Sequence, residues 1–274
     1  MKLKNYLFLF VTLVVFINPQ NSIAKTDTFC LSTIKAEKHS RQFYQLKIYT
    51  FETEAQEQTT EKYLQEAFLP ALKRRGIKNV GVFKPRPDSV DTSKKIFILI
   101  PFSSLAQFET LENNLAEDNA YLAAGHDYLK ASYERPPYKR IESILLKAFK
   151  DMPIMQPSSL DGPREDRIYE LRSYQSATED YFSNKLDMFN DGGEIKLFER
   201  LEFNAVFYGE VIAGPVMPNL MYMTTFSNQT SRDAHWKKFV DSPDWKELAS
   251  MPKYKNNVSH IDISFLYPTE YSDY

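Results

Sequence analysis

Apolar and polar positions along the chain alternate in short segments that recur in one order. Phe43–Phe51 and Ile168–Ser176 are rich in β-branched and aromatic residues, which predicts a strand at each place. Helical spacing follows, and in the first copy its apolar positions are Tyr63, Leu64, Phe68, Leu69 and Leu72. Two further strands, a second helical region and a closing strand come next in both halves. Each half therefore predicts the order β-α-β-β-α-β.

The two series align as an internal repeat, because Phe43–Phe51 lies 125 residues before Ile168–Ser176. Four later matches keep the same order: Asn79–Pro85 with Asn204–Glu210, Ile96–Ser104 with Leu220–Asn228, Leu115–Ala124 with Phe239–Leu248, and Ser143–Phe149 with His260–Leu266. An ordered set of matches of this kind predicts a tandem duplication.

The repeat predicts an α+β fold built from two ferredoxin-like units at residues 41–150 and 167–274. Residues 151–166 are rich in proline and predict a linker. A ferredoxin-like unit has helices on one face of its sheet only, so its other face needs a cover. We expect the two units to supply that cover to each other, packed sheet to sheet as one barrel with a pseudo-twofold axis.

The start of the chain has the pattern of a secretory signal. Lys2 and Lys4 precede an apolar run, Tyr6–Ile17, and the small residues Ser22 and Ala24 follow it. This pattern predicts a signal peptide over residues 1–24, cleaved near Ala24, and a short N-terminal segment over 25–40. The expected product is periplasmic or secreted and has no membrane association after cleavage.

Charge and cysteine content argue against a nucleic-acid partner, an internal disulfide and a cysteine nucleophile. The chain has 34 Lys and Arg against 36 Asp and Glu, and it contains no strongly basic block. Nucleic acid is therefore not an expected partner. Cys30 is the only cysteine, so an internal disulfide is excluded. Because Cys30 precedes the predicted units, it is a poor candidate for a nucleophile.

Three stretches in the second half resemble one known family. They are "IYELRSYQ" (168–175), "FNAVFYGEVIAGPVMPNLMYMTTF" (203–226) and "WKKFVDSPDWKEL" (236–248). Together they resemble the NIPSNAP proteins, and the second unit fits better than the first. The resemblance implies a dimeric α+β-barrel fold with both halves in one chain. That superfamily also contains haem-degrading and cofactor-free monooxygenases. The resemblance therefore implies haem as a conceivable cofactor, by analogy with the superfamily alone. The residues themselves indicate no cofactor, and no catalytic residues carry over from the family.

Two pairs of polar residues lie two positions apart on predicted strands, so each pair shares a face. Glu170 and Arg172 form the first pair, which is either a surface ion pair or a buried group able to orient an anionic or carbonyl ligand. Tyr208 and Glu210 form the second pair, flanking Gly209, and a carboxylate near a phenol is suited to acid–base chemistry. For both pairs, a purely structural role is the alternative to a functional one.

The four histidines are scattered, and their spacing does not match a zinc site. His235, beside Trp236 on the second helical region, is the best single candidate for a haem ligand or a general base. A histidine on a half-buried helix is also commonly a packed, hydrogen-bonded structural residue.

Two adjacent glycines, Gly192 and Gly193, interrupt a helical pattern at "MFNDGGEIKLFERL" (188–201). In the repeat alignment Gly193 falls on Phe68, so an aromatic side chain is missing from the second unit. Asp191 and Glu194 resemble a capping box, which predicts a helix that ends near Asn190 and restarts at Gly192. Free N–H groups there would suit an anion or a carbonyl oxygen. The alternative is a capped kink, filled by Phe189 and Phe198.

Three function hypotheses follow. The first is a binding module for a small organic ligand or a protein partner, with any pocket in the second unit and Glu170, Arg172, Asn190, Gly192, Gly193 and Glu194 as ligand contacts. The second is a monooxygenase- or isomerase-like enzyme whose catalytic candidates are Glu210, Tyr208 and His235. The third is assembly into homo-oligomers through exposed sheet edges.

Overall fold

The protein is described from a computed structural model that covers residues 40–87, 93–160 and 162–274. The predicted signal peptide and Cys30 lie outside the described residues. The described residues form one compact unit.

The first half has the predicted order of elements. It contains β1 (Phe43–Thr50), α1 (Glu54–Tyr63), a π-helical turn (Leu64–Phe68), α2 (Leu69–Arg74), β2 (Gly81–Pro85), β3 (Lys95–Phe102), α3 (Leu105–Ala116), α4 (Asn119–Ala124), α5 (His126–Leu129) and β4 (Arg140–Ala148). Thr53 starts α1 with a capping box, and Ser104 caps α3, so each helix begins at a hydroxyl that accepts from a backbone N–H.

The second half repeats that order. It contains β5 (Ile168–Gln175), α6 (Glu179–Phe189), α7 (Glu194–Arg200), β6 (Ala205–Ala213), β7 (Asn219–Phe226), α8 (Gln229–Asp241), α9 (Pro243–Ser250) and β8 (His260–Pro268). Thr178 caps α6 and Asn228 caps α8, at the places where Thr53 and Ser104 act in the first half.

The eight strands close into one antiparallel barrel in the order β1-β3-β2-β8-β5-β7-β6-β4. Each half contributes a four-stranded ferredoxin-like sheet, and the two sheets join where β2 pairs with β8 and β4 pairs with β6. The predicted intramolecular α+β barrel is therefore confirmed. Because the barrel is closed, the described strands leave no open sheet edge of the kind that drives edge-to-edge assembly.

Alternate residues of each strand fill the barrel interior in layers. Tyr44 and Tyr169 form one layer, and Leu46 and Leu171 form the next, all four being buried in one apolar cluster. The opposite face of each sheet packs against its own helices in two further clusters. A residue's parity along its strand thus decides whether it faces the interior or the helices.

Strand pairing corrects the alignment of the two closing strands. Leu46 on β1 pairs with Ile144, and Leu171 on β5 pairs with Ser264. Ile144 therefore corresponds to Ser264, whereas the sequence alignment placed it on Ile261. The sequence alignment paired two isoleucines, so residue similarity alone gave the wrong register for this strand.

A bulge corrects a second alignment. The register of β6 shifts between Ala205 and Phe207, which moves the rest of the strand by one residue. Tyr208 consequently corresponds to Val82 rather than to Phe83, and Glu210 corresponds to Lys84.

Candidate functional site

Glu170 and Arg172 lie on the face of β5 that packs against α8, not in the barrel interior. Their interior-facing neighbours are Tyr169 and Leu171. Glu170 has no exposed surface, and Arg172 is 8% exposed. The pair is therefore buried beneath a helix.

Four hydrogen bonds saturate the Glu170 carboxylate. Arg172 donates from Nε at 2.7 Å and Trp236 from Nε1 at 2.8 Å. Arg232 donates from Nε and Nη2, both at 2.9 Å. Burial raises the pKa of Glu170, but the hydrogen bond from Arg232 and the charge of Arg172 outweigh burial and hold that pKa below its usual range. A carboxylate with this many donors is held ionised and has little capacity left for a ligand.

The same contacts extend through Arg172 into the core. Its guanidinium lies 3.7 Å from the ring centroid of Trp236 and donates from Nη1 to the Tyr174 hydroxyl at 2.9 Å. That hydroxyl is 2.8 Å from the hydroxyl of Tyr222. We call these side chains the Glu170 network: Glu170, Arg172, Tyr174, Tyr222, Arg232 and Trp236. Their mutual contacts favour a structural role, which is to hold α8 on the sheet. Ligand binding by Glu170 and Arg172 stays a prediction.

Tyr208 and Glu210 share the helix-facing side of β6 as predicted, but they serve different contacts. Glu210 pairs with Arg41 Nη2 at 2.5 Å, and Arg41 also donates from Nε to the carbonyl of Ala148. Tyr208 is buried, which raises the pKa of its phenol well above its ordinary value. Its hydroxyl has no hydrogen-bond partner among the described residues.

His235 lies on α8 with one ring nitrogen occupied. Its Nδ1 is 2.6 Å from the carbonyl oxygen of Ser231, so in the neutral ring Nδ1 donates and Nε2 is left as an acceptor. His235 and Tyr208 both line a cavity of about 540 Å³ between α7, α8, the start of β6 and the linker. We call it the helix-side cavity. Among the candidate residues, Tyr208 and His235 thus share a cavity, whereas Glu170, Arg172 and Glu210 are not among its lining residues.

Haem does not fit the helix-side cavity. Its acidic lining residues are Glu199 and Glu202, and no lysine or arginine lines it in the described parts of the chain. The two propionates of haem would meet carboxylates instead of cations. Within the same described parts, no three His, Cys, Asp or Glu side chains are placed to hold a metal ion.

The Gly192–Gly193 segment separates α6 from α7 and has no capping box. Gly193 adopts φ +87°, which favours glycine, and a Cβ on Gly192 would come within 2.6 Å of the Met188 carbonyl oxygen. The backbone conformation therefore requires glycine at both positions. Asp191 pairs with Lys150 instead of capping α7, so the predicted capping box is wrong.

Two of the N–H groups expected to be free are already used. Gly192 donates to the Asp187 carbonyl at 2.8 Å, and Gly193 donates to the Asn190 carbonyl at 3.1 Å. The Asn190 side chain donates to Leu186 at 2.8 Å and accepts from the backbone of Asp151 at 3.2 Å. These bonds fix the end of α6, which favours a structural role for Asn190.

Glu194 points into the core and binds a buried lysine. Lys185 Nζ lies 2.7 Å from its carboxylate, and the two side chains are 5% and 3% exposed. Phe189 and Phe198 are also buried, with ring centroids 6.4 Å apart. The pair and the rings fill the space between α6, α7 and the sheet.

The opening strand of each half carries one cationic side chain, and helical segments at different places in the two halves cover it. Lys47 in β1 lies 5.2 Å from the ring of Phe68 in the π-helical turn, whereas the equivalent Arg172 lies beneath Trp236 of α8. The aromatic group missing at Gly193 is thus supplied from another helix, Trp236 taking over the place of Phe68 beside the cation.

A second cavity, which the sequence did not predict, opens at one end of the barrel. Its volume is about 550 Å³, and it lies where the next interior layer after Leu46 and Leu171 would be. Its apolar walls are Ile48, Phe97, Ile144, Leu171 and Met221, with Pro215 and Val216 from the β6–β7 loop. We call it the barrel-mouth cavity. It draws on both halves of the chain.

Polar groups surround the opening of this cavity. Glu142 and Asp262 occupy equivalent positions, because Glu142 pairs with Ile48 on β1 and Asp262 pairs with Ser173 on β5. Asp262 accepts from Gln175 at 3.1 Å and lies 3.0 Å from His260 Nε2. Lys95, Asn219, Ser173 and Ser264 complete the polar lining.

The cavity exists because the second half has small residues where the first has large ones. Ser173 stands at the position of Ile48, and Ser264 stands at the position of Ile144. The first substitution was visible in the repeat alignment of the opening strands. The second was hidden by the misplaced register of the closing strand.

Several solved structures have a similar fold and identify the fold class of this chain. A proposed monooxygenase from Lactobacillus acidophilus is 10% identical with a TM-score of 0.55, covering 84% of this chain and 94% of its own. A proposed monooxygenase from Fusobacterium nucleatum is 9% identical with a TM-score of 0.53, covering 84% and 93%. An anthrone oxidase-like protein is 11% identical with a TM-score of 0.50, covering 85% and 93%. At these identities the similarity shows the fold alone: a dimeric α+β barrel, here within one chain.

The second half of the chain matches a family model. Residues 169–273 match the family model described as NIPSNAP, and this part of the chain is a NIPSNAP domain. No curated protein matches the chain significantly. None of the helices in the described ranges is both long enough and apolar enough to cross a membrane.

Proposed function

We propose that the protein binds a small, largely apolar organic molecule in the barrel-mouth cavity. Binding sites for small molecules are concave, mostly apolar spaces of roughly 300–1,000 Å³ with a few polar groups that set orientation. The barrel-mouth cavity, at about 550 Å³, has this size and composition. An apolar body would lie against Phe97, Leu171 and Met221, and a polar end would face the opening.

The observation that carries this proposal is the pair of serines in the cavity wall. Core positions of a barrel are ordinarily filled by large apolar side chains, as Ile48 and Ile144 do in the first half. Ser173 and Ser264 leave the corresponding space open in the second half. Interior space of this size, open to solvent and walled by apolar groups, suits an apolar ligand.

Filling the cavity tests the proposal. The double variant Ser173→Ile, Ser264→Ile copies the first half into the second, so the barrel has a template for accepting it. N-phenyl-1-naphthylamine, a neutral fluorophore that brightens in apolar surroundings, serves as the probe. We expect saturable binding to the native protein and at least a tenfold loss of affinity in the double variant.

Ser250→Ile, at an exposed position at the end of α9, is the matched control and should bind the probe normally. Circular dichroism and thermal unfolding verify that the double variant is folded. Undiminished probe binding in a folded double variant would remove the barrel mouth as the site.

A monooxygenase- or isomerase-like activity in the second half is the second candidate function. It is favoured by the shared cavity of Tyr208 and His235, and two of the matched structures are proposed monooxygenases. Turnover in a substrate screen that falls in both His235→Ala and Tyr208→Phe would support it. Turnover untouched by both variants would refute this assignment of residues. Glu210 is a weaker candidate because it is engaged by Arg41.

Export is proposed from residues 1–24 alone, and N-terminal sequencing of the mature protein tests it. A mature chain that begins near Lys25 supports export, and one that retains Met1–Ala24 contradicts it. The proposed partners are a small molecule and a second copy of the chain. Analytical ultracentrifugation measures the second.

A further inference from the structure

The helix-side cavity combines an aromatic wall with an acidic rim. Phe198, Phe203 and Tyr208 are buried and line it, whereas Glu199 and Glu202 are exposed at its edge. Neither carboxylate has an ion-pair partner among the described residues. Aromatic faces and carboxylates both attract cations, so the two parts of the lining favour the same kind of ligand.

The backbone at Glu202 is strained, and its counterpart in the first half is not. After α7, Glu202 N–H donates to Glu199 and Phe203 N–H donates to Phe198, which is a Schellman motif. The same two bonds close α2, where the left-handed position is taken by Gly76.

Glu202 adopts φ +60° at that left-handed position, and Gly76 adopts φ +75°. Glycine takes this conformation freely, whereas a side chain makes it unfavourable. The second half therefore carries a glutamate where its own fold prefers glycine. Strained residues of this kind cluster at binding and catalytic sites.

Tyr208, a lining residue of the same cavity, has an unsatisfied hydroxyl. Tyr208 is 1% exposed, and its hydroxyl has no hydrogen-bond partner among the described residues. Buried polar groups are normally paired, so an unpaired one calls for a missing partner. A bound molecule with a polar atom would supply it.

We propose that the helix-side cavity binds a small organic cation, an amine or ammonium compound with an apolar body. Glu202 and Glu199 meet the charged nitrogen, and the rings of Phe198, Phe203 and Tyr208 receive the apolar part. His235 Nε2 adds an acceptor to the wall. This site is separate from the barrel mouth, so the proposal does not depend on the function proposed above.

Matched probes of equal size test the role of charge. Isothermal titration calorimetry compares 2-phenylethylammonium with neutral 2-phenylethanol. We expect the ammonium compound to bind at least tenfold more tightly, and added salt to weaken it. Glu202→Gln should remove most of that preference, and Tyr208→Phe should weaken binding by removing the hydroxyl alone.

Glu202→Gly separates binding from folding. The glycine relieves the strain, so Tm should rise by about 2–4 °C, while ammonium binding falls at least tenfold. Glu247→Gln, on the exposed side of α9, is the control for charge and should change neither quantity. The double variant Ser173→Ile, Ser264→Ile should keep ammonium binding.

Equal affinity for the ammonium compound and the alcohol would overturn the proposal. So would a Glu202→Gly variant that gains stability yet binds the ammonium compound as tightly as the native protein.

Discussion

Replacing Glu170 by glutamine tests whether the Glu170 network is structural. The substitution keeps the size of the side chain but removes its charge and turns one acceptor atom into a donor. That amide would face donors from Arg232 and Trp236, or from Arg172, depending on its orientation. Two arginines would then lose the carboxylate that neutralises them.

Burial sets the expected cost. Removing one partner of a buried ion pair costs about 3–5 kcal/mol, because the other charge stays buried without compensation. The Arg172 side chain is 10% exposed and held under Trp236, so it stays buried after the substitution, whereas Arg232 is 18% exposed and can turn outward into water. Because only one of the two arginines then stays buried without a partner, we expect the low end of the range, about 3 kcal/mol. For a domain of this size that lowers Tm by roughly 6–12 °C.

The cost should depend on pH with a definite sign. Because the pKa of Glu170 is lowered in the folded state, its contribution is complete above the ordinary glutamate pKa of about 4.3. The contribution is lost as pH falls through the lower, folded pKa. The stability difference between native protein and Glu170→Gln should be constant from about pH 5 to 8 and shrink in more acidic solution.

Urea unfolding, followed by circular dichroism at several pH values, measures this difference. Glu66→Gln, at an exposed position on the π-helical turn, is the control and should stay within about 0.5 kcal/mol of the native protein. A Glu170→Gln variant that unfolds within 1 kcal/mol of the native protein at pH 7 would refute the structural role of the network.

Two further predictions concern the join between α6 and α7. Lys185→Met leaves Glu194 buried without its partner and should cost about 3 kcal/mol, whereas adding Glu194→Leu should recover part of the loss, and urea unfolding measures both. A double variant no more stable than Lys185→Met would contradict the pairing. Gly193→Ala should cost about 1 kcal/mol because of its positive φ, and Gly192→Ala should cost more because its Cβ meets the Met188 carbonyl. The reverse order of Tm values would show that the backbone there is placed differently.

Most of the fold was predictable because the relevant signals are local. Alternation in the strands and apolar spacing in the helices are both visible in short windows of sequence. The barrel was then predictable from the repeat, because two ferredoxin-like units can cover the open faces of each other's sheets. The registers of β6 and β8 were not predictable, because the bulge in β6 and the pairing of β8 are fixed by the folded chain and not by the residue pattern of either strand.

The sites were less predictable because their partners are distant in sequence. Glu170 and Arg172 were identified as a pair, but Arg232 and Trp236 arrive from α8, and only the folded chain shows that they saturate the carboxylate. The strain at Glu202 is a backbone property and leaves no trace in residue type.

Locating a bound probe tests the central proposal most directly. In a crystal soaked with N-phenyl-1-naphthylamine, we expect its rings in the barrel-mouth cavity, against Phe97, Leu171 and Met221 and beside Ser173 and Ser264. A barrel mouth that holds only water, with the probe bound elsewhere on the protein, would contradict the proposal.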